Sequence, residues 1–189
     1  METVQKEGDL FISRKLNLGK NPYYGINADA TFDPASWWNV HVYIELTNNV
    51  TKGALYNTYL NTGQVYFFST IQNQFDLGKG WSAEISGFYI SPKIDGQYTH
   101  IATGQLNTGL QKKVLDNKGS IRVSIKDLLR TNFSGGNILS IPGATATWRN
   151  DWANRMATLG FSYNFGSSPK KSNQPDKGSA ASEQNRVRN

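Results

Sequence analysis

Trp38-Asn39-Val40-His41-Val42-Tyr43-Ile44-Glu45-Leu46-Thr47 decides the fold. Trp38, Val40, Val42, Ile44 and Leu46 recur at every second position, with Asn39, His41, Tyr43, Glu45 and Thr47 between them. A strand turns successive side chains to opposite faces, so this stretch reads as a strand with one apolar and one polar face. The same alternation returns along the chain. Val65, Phe67, Ile71, Phe75 and Leu77 oppose Gln64, Thr70, Gln72, Gln74 and Asp76, while Trp81, Ala83, Ile85 and Tyr89 oppose Ser82, Glu84 and Ser86. Ile121, Val123 and Ile125 oppose Ser120, Arg122, Ser124 and Lys126, and Leu159, Phe161, Tyr163 and Phe165 oppose Gly160, Ser162 and Asn164. No helical period runs for a useful length.

The connections carry a second pattern. Asp33–Ser36, Gly78–Gly80 and Asp116–Lys118 are tight, with the Gly, Pro, Asp and Asn that turns require. Between them lie longer connections, Asn48–Gly63, Pro92–Tyr98 and Thr131–Asn154. Strict alternation of short and long is expected of a barrel crossing a membrane, with short turns on the periplasmic side and long loops outside. The reading is an all-β, antiparallel transmembrane β-barrel segment of about eight strands, near 9–18, 23–32, 37–47, 64–77, 81–91, 99–114, 119–130 and 155–165. Ile138–Arg149 reads as a hairpin inside the last long loop. This parity returns the last strand to the periplasmic side. The chain then divides into barrel at 1–166 and a disordered basic tail at 167–189.

Composition agrees. A hydrophobic content of 38% and a mean hydropathy of −0.53 resemble a soluble protein. Alternating strands average out in the same way, however, and no run approaches the roughly 20 apolar residues of a membrane-spanning helix. Charged residues are 18%, below the usual share of about 25%, and aromatics reach 12%. Without cysteine there is neither a disulfide framework nor a thiolate metal site. The segment after Phe165 contributes +3 of the net charge of +6, so the folded part implies no basic face and no nucleic-acid partner. Tyr23, Tyr24, Trp37, Trp38, Trp81 and Phe165 stand at strand ends, where amphipathic rings line a membrane interface. Val40, Val42, Ile44, Ile121, Val123 and Ile125 are the expected lipid-facing residues.

Nothing points to catalysis or to a cofactor. His41 and His100 lie on different strands without an adjacent nucleophile or acid motif. Glu45 shares a face with His41, and the pair reads as polar lumen lining rather than as metal ligands. Gly78-Lys79-Gly80 lacks the spacing of a phosphate loop and is a turn.

Taken in order, Asn-Pro-Tyr-Tyr-Gly ending at Gly25, Trp37-Trp38, Gly80-Trp81-Ser82-Ala83-Glu84-Ile85-Ser86-Gly87-Phe88-Tyr89, Gly109-Leu110-Gln111-Lys112-Lys113, Ser124-Ile125-Lys126-Asp127-Leu128-Leu129 and Leu159-Gly160-Phe161-Ser162-Tyr163-Asn164-Phe165-Gly166 carry a resemblance. From about Asn17 to Gly166 the chain resembles the C-terminal region of the Bacteroidetes outer-membrane β-barrel family, whose members look like TonB-dependent receptors. The resemblance implies a bacterial outer-membrane location and a role as barrel wall and extracellular loops in nutrient uptake. It implies that Leu159, Gly160, Phe161, Tyr163 and Phe165 form the assembly signal read by the barrel-assembly machinery. Outer-membrane lipid is the other expected partner. An export signal, a plug, TonB coupling through that plug and the remaining strands are expected from sequence upstream of Met1. The alternatives are a complete small eight-stranded barrel with a structural or adhesion role, a soluble ligand-binding barrel and, more distantly, an outer-membrane hydrolase.

Overall fold

The computed structural model describes residues 1–17, 19–151 and 155–165. Among them are thirteen strands and no helix: β1 Glu2–Glu7, β2 Leu10–Lys15, β3 Tyr23–Ala35, β4 Trp38–Leu55, β5 Thr58–Gly78, β6 Trp81–Ile90, β7 Lys93–Asp95, β8 Tyr98–His100, β9 Thr103–Val114, β10 Gly119–Lys126, β11 Phe133–Ile138, β12 Ala146–Asp151 and β13 Met156–Tyr163. Seven form one antiparallel sheet in the order β13-β10-β9-β6-β5-β4-β3. A four-stranded sheet, β12-β11-β8-β7, and the β1–β2 hairpin complete the fold.

The large sheet corrects the expected count of about eight spanning strands. The stretch near 9–18 pairs instead with Glu2–Glu7 as a hairpin outside the sheet. The strand expected over 99–114 divides, with β8 in the small sheet and β9 in the large one. The sheet is also open, because β3 and β13 are its edges and do not pair with each other.

The tight connections fall where expected, all at one end. Lys79 and Gly80 both take positive φ, 49° and 77°, the geometry that matches a hairpin turn to strand twist. Leu115, Asp116 and Asn117 take positive φ in the next tight turn.

At the opposite end the sequence reading needs more correction. Asn48–Gly63 is no loop: β4 and β5 stay paired from Trp38 opposite Phe75 to Leu55 opposite Thr58. Tyr56, at φ 52°, helps close the ribbon. Its Asn, Thr and Gly residues resemble turn chemistry, but a projecting two-stranded ribbon tolerates polar residues on both faces. The other two long connections each fold back as a hairpin, β7–β8 and β11–β12. The hairpin expected over Ile138–Arg149 exists, with its strands centred further out. β10 stops at Lys126 because Asp127 adopts φ 52° and buries a carboxylate that accepts from the backbone N–H of Thr131 (3.0 Å) and Asn132 (3.4 Å).

These hairpins build a head, and the packed core lies there. Leu55 and Leu60, fully buried, meet Leu16 and Tyr56. Gln97, also fully buried, accepts from Val4 N–H and donates to Val4 O, both at 2.8 Å. One side-chain amide thereby ties the β1–β2 hairpin to the β7–β8 turn.

Candidate functional site

The register of the large sheet sorts its side chains, since directly paired residues point the same way. One row runs Trp38, Phe75, Ala83, Leu110, Val123, Leu159, and another runs Ala30, Val42, Ile71, Gly87, Leu106. Val40, Val42, Ile44, Ile121, Val123 and Ile125 all fall on this same face. It continues across seven strands, and most of it is open: Ile26 is 74% exposed, Val123 46% and Leu159 76%. Val40 is the exception, buried beside the Trp38 end.

Lys52 shares the parity on β4 but lies out on the head's ribbon; between the tight turns and the Leu46 row, the one charge on that face among the described residues is Lys112, at the tight-turn margin. Its ammonium lies 4.9 Å from the Trp81 ring centre and donates to Lys79 O at 2.6 Å. The alkyl stem thus covers apolar surface while the charge reaches toward the turn.

Aromatic rings bracket the apolar band. Trp37, Trp38 and Phe75 pack together at 5.9–6.2 Å near the tight turns, where Trp81 also sits. Tyr163 and Phe165 meet edge to face at 4.7 Å, close to the same end. Toward the head, Phe67 and Tyr89 lie 6.5 Å apart, and Tyr24 shares their face. Phe67–Phe75 and Trp81–Tyr89 each span nine residues, within the roughly 9–11 that a tilted strand needs to cross a bilayer's hydrocarbon core. Tyr23 separates from its neighbour, because its hydroxyl donates to Glu45 Oε1 at 2.9 Å on the opposite face.

That opposite face is polar and internally connected. Glu45 accepts from the hydroxyls of Tyr23, Tyr43 and Thr47. His41 Nε2 lies 3.1 Å from Asp29, so His41 and Glu45 have separate partners. Arg122 on β10 reaches Glu84 on β6 at 3.4 Å, crossing β9 where Gly109 leaves room. Phe68 and Phe88 make this face less polar near the head. No group of three or more His, Cys, Asp or Glu among the described residues could hold a metal ion.

In the expected assembly segment, Leu159, Phe161 and Tyr163 lie on the apolar face along edge strand β13. Gly160 points to the polar side, opposite Arg122, and a Cβ there would touch nothing among the described residues. Its absence of side chain is therefore not explained by contacts within the described chain. Phe165 is 91% exposed. Tyr163 stands opposite Gly119, so β13 ends at the tight-turn end. The tail at 167–189 lies outside the described residues.

The sequence reading did not bring together Lys93, His100, Trp148 and Arg149, which line one cavity in the head, because it placed Lys93 in a connection, His100 in the strand over 99–114, and Trp148 and Arg149 in a separate hairpin. No curated protein and no solved structure matches the chain. A family model described as the outer membrane protein beta-barrel family matches residues 2–163. An open, apolar, ring-bracketed face backed by a polar one is the surface such a family requires, and the chain belongs to the outer membrane protein beta-barrel family.

Proposed function

We propose that the chain is part of the wall and extracellular head of a larger outer-membrane receptor or transporter of the TonB-dependent type, as in Bacteroidetes proteins, and that it is not an enzyme. The observation that carries this reading is the direction of the two sheet edges. β3 starts at the head and ends at a tight turn, and six antiparallel steps later β13 runs the same way. Joining β3 to β13 would therefore make a parallel seam. Two copies in the same membrane orientation would meet through parallel seams as well. Antiparallel closure needs an odd number of further strands, the first and last running from the tight-turn end toward the head. A complete barrel of these seven strands alone fits the edges poorly, and the eight-stranded alternative needs one further strand, which β2 does not supply because it pairs with β1 outside the sheet. Unpaired edges in lipid leave backbone groups without partners at several kcal/mol each, so such strands are required.

In this arrangement the apolar face meets lipid, the polar face lines a lumen that a plug would fill, and the tight turns and C-terminal tail are periplasmic. Leu159, Phe161, Tyr163 and Phe165 present the alternating edge that the assembly machinery would read. The test uses the full gene product in its own membrane. Fractionation should place it in the outer membrane, and cysteine pairs with one member on β3 and one on β13 should fail to crosslink. Efficient β3–β13 crosslinking, or recovery as a soluble monomer, overturns the reading. Uptake that persists after TonB is removed overturns the transport part alone.

A further inference from the structure

We infer that the head carries a binding groove for a small organic anion with a flat apolar body. The groove, a cavity of about 640 Å³, opens between β7–β8 and β11–β12, two hairpins from separate connections. Its volume is in the range that takes ligands of a few rings, roughly 300–1,000 Å³. Lys93, His100, Trp148 and Arg149 line it, and no carboxylate side chain does. Asp95, on the same hairpin as Lys93, is held by the Asn49 amide at 3.3 Å.

The rings are fixed before any ligand arrives. Trp148 Nε1 donates to Thr99 O at 3.2 Å, and the indole meets the His100 and Tyr98 rings edge to face at 5.1 and 6.3 Å. Gly136 makes this approach possible, because a Cβ there would lie 1.9 Å from Thr99 O. The two cations are also held in place. Lys93, which pairs with His100, lies on the Trp148 face of the small sheet with its Nζ 5.3 Å from the Tyr66 ring centre, whereas Arg149, which pairs with Gly135, projects from the other face with its guanidinium 5.2 Å from the Phe133 ring centre; neither enters an ion pair among the described residues. The His100 and Trp148 rings supply flat apolar contact and Lys93, on the same face of the small sheet, supplies charge, so a ligand carrying both a carboxylate and a ring satisfies the groove as neither part alone does.

The physiological role of this groove, capture of an anion from outside, rests on the receptor reading; the binding itself does not. The experiment is isothermal titration of the purified full-length protein in detergent with 2-naphthoate, 2-naphthol and acetate, with the K93Q/R149Q protein run as the blank for partition into detergent. Naphthoate should bind, naphthol and acetate at least tenfold more weakly. The double substitution should weaken naphthoate at least tenfold while leaving the folded sheet's circular dichroism unchanged. A Trp148→Phe variant keeps a ring and should retain partial binding, whereas Trp148→Ala should lose it. Equal binding of naphthoate and naphthol, unchanged naphthoate binding in the double variant, or no heat above the blank each overturns the groove. Uptake that persists without TonB, with naphthoate binding intact, would count against the transport reading and leave the groove standing.

Discussion

The head and the wall are both β-sheet, yet they are stable for opposite reasons. In the head, Leu55 and Leu60 are fully buried and Gln97 satisfies both backbone groups of Val4. The head therefore packs as a soluble protein does. In the wall, Ile26, Leu46, Val123 and Leu159 are 46–76% exposed, on a face that the other described residues leave largely uncovered. Hydrophobic burial inside the chain cannot account for that face. On the function proposed above, the difference means that the wall's missing layer comes from outside, from lipid on one face and from pairing at its two edges.

The largest way to sharpen this contrast is to empty the head's core. Leu60→Ala should cost about 2–5 kcal/mol. Hydrogen exchange should then show lost protection in β1, β2 and the β4–β5 tip, with little change in β10 and β13. Next comes a charge on the wall. Val123→Arg should cost about 2–4 kcal/mol in lipid if the residue lies near the midplane. In a soluble protein a half-exposed position would tolerate it, so denaturant titration in bilayers that shows under 0.5 kcal/mol would break the comparison. On the wall's polar face the effect shrinks. Arg122→Met removes a pair with Glu84 whose side chains are 53% and 31% exposed, and the loss should be about 0–1 kcal/mol.

The smallest effect is one of pH and belongs to the head. Burial lowers the His100 pKa, and Lys93 lowers it further, while Asp95 acts the other way. The folded head therefore favours neutral imidazole. As pH falls below the ordinary value near 6.5 the unfolded chain protonates first, so this contribution is complete above that pH and is lost as pH falls through the lower folded value. Head protection, corrected for intrinsic exchange, should decline between pH 7 and 5, and His100→Phe should flatten that decline.

The wall was legible in the sequence because its signal is local. Val40-His41-Val42-Tyr43-Ile44 declares its two faces without knowledge of any partner, and Gly78-Lys79-Gly80 declares its turn. The head was not legible because its order is tertiary. Asn48–Gly63 has the composition of a loop, and its pairing as a ribbon is anchored by tertiary contacts, among them those of Leu16, Leu55, Tyr56 and Leu60 and the hydrogen bonds of Tyr56 to Thr3 and of Thr62 to Gly96 O. Likewise His100 and Trp148 stand 48 positions apart, and no spacing rule links them. Tyr23 shows a finer limit. Adjacent aromatics look like one interfacial pair, but period two sends them to opposite faces, and Tyr23 joins Glu45.

The central claim is that one face of the large sheet meets lipid and the other meets water. The chain has no cysteine, so single cysteines placed along β4 at 40–45 and along β10 at 121–126 can each carry a fluorophore in reconstituted bilayers. Quenching by spin-labelled lipid should favour 42 and 44 on β4 but 121, 123 and 125 on β10, with aqueous iodide favouring the positions between. The preferred parity thus switches from even to odd numbers between the strands, as the register dictates. Equal quenching at neighbouring positions, or iodide access to both faces, would contradict a membrane wall.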